Sequence, residues 1–173
     1  AMLRRPPDFQ VVRELVAHRA DPDQAGPHKW TPLILAVKSD DANSTSMVDQ
    51  LLKARASVNI RDEDHVTPLG WAAWTDQTGR VTSLLLEARA DIHAASDASL
   101  TTALGRSARQ GAVRVAEILL AQRADVNQRN QHGWTPISWA AFAGQVGVAK
   151  VLSEARADIR AAGADGRTPL MLA

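Results

Sequence analysis

Apolar residues along this chain fall into two phrases that alternate at a steady beat. The first opens on a Thr: TPLILA from Thr31, TPLGWAA from Thr67, TALGRSA from Thr102, TPISWAA from Thr135 and TPLMLA from Thr168, with starts 36, 35, 33 and 33 residues apart. The second is a looser run, MVDQLL (Met47–Leu52), VTSLLL (Val81–Leu86), VAEILL (Val115–Leu120) and VAKVLS (Val148–Ser153), whose spacing sets one apolar stripe along a helix. A polar phrase keeps the same phase: RADPD from Arg19, RASVN from Arg55, RADIH from Arg89, RADVN from Arg123 and RADIR from Arg156. Phrases locked together over five turns mark a repeat architecture.

Each phrase has a mechanical meaning. Thr followed by Pro starts a helix, because the hydroxyl caps orphan N–H groups and Pro at the first helical position lacks the donor that would go unpaired. Thr31-Pro32, Thr67-Pro68, Thr135-Pro136 and Thr168-Pro169 all fit. The small residues that follow, Ala36, Ala72-Ala73, Ser107-Ala108 and Ala140-Ala141, let neighbouring backbones approach, so these helices stack tightly. The looser run supplies a second helix. Polar stretches after the RA(D/S) phrase, such as NIRDEDH from Asn59 and NQRNQHG from Asn127, are too short for another element and read as turns. Each unit is therefore helix, turn, helix.

Composition narrows the classes of function. A chain of 173 residues buries roughly two thirds of its unfolded surface and needs no staple. Absence of Cys excludes disulfides, thiolate metal sites and a Cys nucleophile. With 20 Lys+Arg against 19 Asp+Glu, the net charge of +1 draws in neither nucleic acid nor an anionic membrane. No apolar run approaches the roughly 20 residues that span a bilayer, and AMLRRPPDF at the start lacks the apolar stretch of a secretory signal. An intracellular location is favoured on these grounds.

A 34-residue tetratricopeptide unit needs Tyr, which this chain lacks entirely, and leucine-rich units are shorter and carry a strand phrase. The TPLxxAA and RADVN phrases together resemble the ankyrin repeat, over residues 9 to 173. The resemblance implies an all-α solenoid of four full helix pairs with a half repeat at each end and hairpin tips with little regular strand. The expected divisions are a tail at 1–7, a second helix alone at 8–25, repeats at 26–61, 62–96, 97–129 and 130–162, and a partial repeat at 163–173. Because Phe9 to Val16 matches only a second helix and Ala173 falls inside a first one, the sequence is expected to be a piece of a longer protein.

Departures from the family pattern are informative. A His normally follows the Leu of TPL, but here that place holds Ile34, Gly70, Gly105, Ser138 and Met171, so the inter-repeat bonds of that His cannot form. Arg stands five times where the family usually ends its second helix in Gly. A left-handed residue is expected there, with the cation answered by the helix end and by acids such as Glu87 and Glu154. The third repeat has Ala103 for Pro and Leu100 for the turn Gly, the second has His65 for that Gly, and the first carries extra residues in Lys38–Ser46, expected to form a longer, mobile loop.

Catalysis finds no support: there is no GxxxxGK[ST] or GxSxG phrase, and the five His residues are never paired at i,i+4. Asp62, Glu63, Asp64 and His65 cluster in the sequence, but a solvated repeat turn accounts for them. Asn59 and Asn127 resemble sites of asparaginyl hydroxylation, and the simpler account has each Asn capping its own turn. The expected function is non-catalytic binding of another protein's segment across the concave surface, without a cofactor, metal or nucleic acid. The alternative is a structural or regulatory appendage of a larger assembly, enzyme or channel. By the resemblance, the binding face carries Trp30, Glu63, Asp64, His132 and Trp134 at the tips and Trp74, Arg109 and Phe142 on the inner helices. His28, Val66, Ser99, Thr101 and Lys38 flank them, while Trp71 and Trp139 are expected to be packing residues.

Overall fold

The computed structural model describes residues 9–39 and 43–173, and the expected tail at 1–7 and the middle of the Lys38–Ser46 connection lie outside them. A lone helix α1 (Phe9–Ala17) is followed by inner and outer partners in alternation: α2 (Pro32–Lys38) with α3 (Ser44–Lys53), α4 (Pro68–Thr75) with α5 (Arg80–Glu87), α6 (Ala103–Gln110) with α7 (Val113–Ala121), and α8 (Pro136–Phe142) with α9 (Val146–Glu154). A short α10 (Pro169–Leu172) closes the series. The described residues are thus helical with no strand; an isolated bridge joins Ala95 to Thr102.

The starts behave as the Thr phrase requires. Thr31, Thr67 and Thr102 accept the N–H of Ile34, Gly70 and Gly105 on their hydroxyls, and Thr135 donates its N–H to Ser138 Oγ. Leu33, Leu69, Leu104 and Ile137 of the inner row meet Leu51, Leu85, Leu119 and Leu152 of the outer row in one continuous buried core. Each such side chain contributes about 1.5–3 kcal/mol by leaving water.

Every outer helix ends alike. Arg19, Arg55, Arg89, Arg123 and Arg156 have φ of 64, 65, 65, 65 and 64°. Arg55 donates its N–H to Leu52 O and Ala56 donates to Leu51 O, and the pattern recurs at the other four arginines. These paired bonds satisfy the orphan carbonyls and offset the left-handed cost of about 1 kcal/mol. The expected acid partners are not there: neither Glu87 nor Glu154 pairs with this row among the described residues, and the guanidinium groups stand in solvent. Bonding of the helix end through the backbone makes an acid unnecessary.

Neighbouring turns are laced at two levels, and both levels are present only at the first and last junctions among the described residues. At the tips, Glu63 donates its N–H to His28 O, Gln131 to Ser99 O and Ala164 to His132 O. Nearer the helices, Asp23 Oδ1 accepts from Ser57 N at 2.8 Å, Asn59 Oδ1 from Asp91 N at 2.9 Å and Asn127 Oδ1 from Asp158 N at 2.8 Å. Asn59 and Asn127 therefore cap the next repeat's turn rather than their own. The rung from residue 93 is missing, because His93 stands where an Asn or Asp accepts in the other units, and no bond from Asp125 N reaches it among the described residues. His93→Asn is expected to add about 1 kcal/mol of stability, read as a higher urea midpoint; an unchanged midpoint would show that the rung carries no energy.

Candidate functional site

The inner helices α2, α4, α6 and α8 carry the fourth and seventh residues after their opening Thr one turn apart on the same face. This gives two columns: Leu35, Trp71, Arg106 and Trp139 nearer the tips, and Lys38, Trp74, Arg109 and Phe142 beyond them. Leu35 is 42% exposed, Trp74 36% and Phe142 53%, while Trp71, Arg106 and Trp139 are half-buried.

Cations and aromatic rings alternate across these columns. Lys38 Nζ lies 3.0 Å from the Trp71 ring centre and 4.5 Å from that of Trp30. The Arg106 guanidinium is 5.5 Å from both Trp71 and Trp74, and that of Arg109 is 5.8 Å from Trp74 and 5.1 Å from Trp139. The ladder ends in an aromatic cluster, with Trp134 centred 4.7 Å from Trp139 and 5.3 Å from Phe142. Contacts of this kind are worth about 0.5–2 kcal/mol each and hold long side chains in fixed poses.

Burial under the indoles pushes the Lys38 ammonium below the ordinary lysine range, and Asp62 and Asp64 oppose the shift. Burial likewise lowers Arg106, opposed chiefly by Asp97, whose Oδ2 is 3.7 Å from Arg106 Nη1. Arg106 is also pinned by donating to Gly70 O at 3.0 Å and Ser96 O at 3.1 Å. Arg109 is exposed and has no carboxylate partner among the described residues.

Turn acids hold the tip-side column from below. Asp62 accepts the N–H groups of Asp64 and Val66 on Oδ1 and the Trp71 indole N–H on Oδ2, at 2.8 Å. This buried carboxylate is thereby consumed, and Glu63 pairs with His28 across the tips, so the Asp62–His65 cluster is dispersed among structural roles. In the fourth repeat Asn130 takes the same place, and its Oδ1 accepts from His132 and Trp134 N–H. An amide offers no second acceptor, and Trp139 Nε1 is buried without a partner. Asn130→Asp is therefore expected to stabilise the fold by about 1 kcal/mol, raising Tm by roughly 2–4 °C; a fall in Tm would mean that burying the charge outweighs the new bond.

The columns bring Trp74, Arg109 and Phe142 into one surface, joined to Trp134 through Phe142 and to Trp30 through Lys38. His132 and Trp134 line a cleft of about 270 Å³ with Trp139, Ala164, Asp165 and Arg167. The N–H and then the guanidinium of Arg167 hold the Asp165 carboxyl below the usual carboxylate range. Glu63 faces the neighbouring tip, and Asp64 is exposed beside it. Val66 and Thr101 are buried at 3% and 4% and are not available to a ligand. Trp71 and Trp139 do pack on the core, yet they share these columns, and Arg106 was not singled out by the sequence; its place four residues after Thr102, matching both tryptophans, was the available signal.

Within the described residues no helix is long and apolar enough to cross a membrane. A family model described as ankyrin repeats (3 copies) matches residues 3–96 and 104–173. The chain belongs to the ankyrin repeat family, whose repeats are in general protein-interaction modules. The unmatched interval contains Leu100 and Ala103, the two departures of the third repeat. No curated protein matches the chain.

Proposed function

We propose that this chain is a non-catalytic module that binds a segment of another protein across its concave face, with Trp74 and Phe142 as anchors and Arg109 pairing a carboxylate of the partner. The observation that carries the reading is the exposure of Trp74 and Phe142 on inner helices, either side of an Arg with no internal acid. Exposed large apolar groups grouped on one face mark interaction sites, and Trp and Arg most often carry interface energy. Trp30 and Trp134 extend the face toward the tips, with Glu63, Asp64 and His132 at its polar rim.

Truncating Trp74 and Phe142 together to Ala is expected to weaken capture of the partner at least tenfold, or ~1.4 kcal/mol, with the fold retained and Tm lowered only by the loss of their surface ring contacts. Retained binding would remove the concave assignment, and so would unfolding, since it would make both residues part of the core.

A further inference from the structure

The concave columns offer flat surfaces and few free donors. Six of their eight positions are planar groups: Trp71, Trp74, Arg106, Arg109, Trp139 and Phe142. The Trp71 indole N–H is spent on Asp62, the Trp139 N–H is buried, and Arg106 donates inward to two carbonyls. Such a face stacks on rings better than it hydrogen-bonds to an extended backbone, and the inner helices present no strand edge to extend.

Spacing points the same way. Packed helices lie about 8–10 Å apart, so a segment crossing them meets a stacking group at that interval. A polyproline II segment returns to the same side every three residues, or about 9 Å. An extended strand returns about every 6.6 Å and an α-helix about every 5.4 Å, so each falls out of step unless it skips positions. Aromatic-lined grooves suit the polyproline conformation because it is already ordered before binding.

Charge fixes the register. Lys38 is half-buried over the Trp71 ring, and Arg106 is half-buried and paired with Asp97. Arg109 is the exposed cation of the columns and pairs with no acid among the described residues, and it is held between Trp74 and Trp139. The arginine row on the outer helices offers no comparable site, because its guanidinium groups stand in solvent with no aromatic ring against them among the described residues.

We infer that the concave face takes a proline-rich segment in the polyproline II conformation, with an acidic residue on Arg109 and prolines three residues to either side, stacked on Trp74 and on the Trp139–Phe142 pair. The motif P-x-x-[D/E]-x-x-P reads alike in both directions, so the fit does not depend on the polarity of the segment. The inference rests on the concave reading above and adds the conformation and chemistry of the partner.

A displayed library of random dodecapeptides, selected on the full chain and counter-selected on the Trp74→Ala/Phe142→Ala variant, tests it. The expected result is enrichment of the motif. A synthetic P-x-x-E-x-x-P peptide, followed by tryptophan fluorescence, should bind Arg109→Glu at least tenfold more weakly, and a P-x-x-K-x-x-P peptide should recover the loss. Circular dichroism confirms that the exposed substitutions leave the fold intact. Enriched peptides that need Trp74 and Phe142 but lack proline, or carry amphipathic helical spacing, would overturn the inference and leave the concave reading standing. Binders indifferent to the double substitution would overturn both. Equal binding of the Glu peptide to Arg109→Glu would overturn the acidic register, and with it the inferred motif.

Discussion

Replacing Asp76 with Ala should lower the stability of the stack by about 3–4 kcal/mol. The turn from α4 to α5 has four residues, two more than the turn from α6 to α7, and α5 opens on Gly79, which has no side chain to cap it. Asp76 does that work from a distance. Its Oδ1 accepts the N–H of Thr78 and Gly79 and the Thr78 hydroxyl, and its Oδ2 accepts both the N–H and the hydroxyl of Thr82, at 2.8 and 2.9 Å. Its own N–H closes α4 on Ala72 O. Truncation leaves buried donors unsatisfied at the centre of the stack, where Thr82 is fully buried. Asp76→Asn retains one acceptor and should lose about half as much. Urea denaturation followed at 222 nm reads both; a loss below about 1 kcal/mol for the Ala variant would mean that the turn relaxes to satisfy its own donors.

Restoring the family's His at position 70 is the second large effect, and it runs against the consensus. A Cβ on Gly70 would lie 2.5 Å from Ser96 Cβ and 2.8 Å from its Oγ, and both residues are buried. Gly70→His is expected to cost about 2–3 kcal/mol through overpacking. Adding Ser96→Gly should return at least half of it, since the collision is with that side chain. If the single variant is as stable as the parent, the close approach of α4 to the turn that precedes α6 is adjustable and the glycine is a matter of indifference.

These residues show where the sequence was legible. The helix starts follow from Thr-Pro because a cap and a missing donor act within one turn, and the two rows of Leu follow from periodicity. Trp74, Arg109 and Phe142 reached one face for the same local reason, since each stands seven residues after its opening Thr. The turn contacts were harder to read. Asn59 and Asn127 looked like caps of their own turns, but each carboxamide finds its donor 31 or 32 residues onward. That choice is made by stacking, which no single repeat contains. Asp76 lies in a loop of unremarkable composition, and its role depends on which N–H groups the chain leaves bare after it bends.

The missing rung at His93 also has a mechanical meaning. It falls between the second and third helix pairs, where the outer helices α5 and α7 touch more sparsely than the outer helices on either side of them. Repeats touch only their neighbours, so a pull applied to the two ends passes undiminished through every junction, and the one that yields at the lowest force sets the strength of the whole. Under load the outer side of this stack is expected to open first between α5 and α7, with the inner helices α4 and α6, bridged by Arg106, as the hinge.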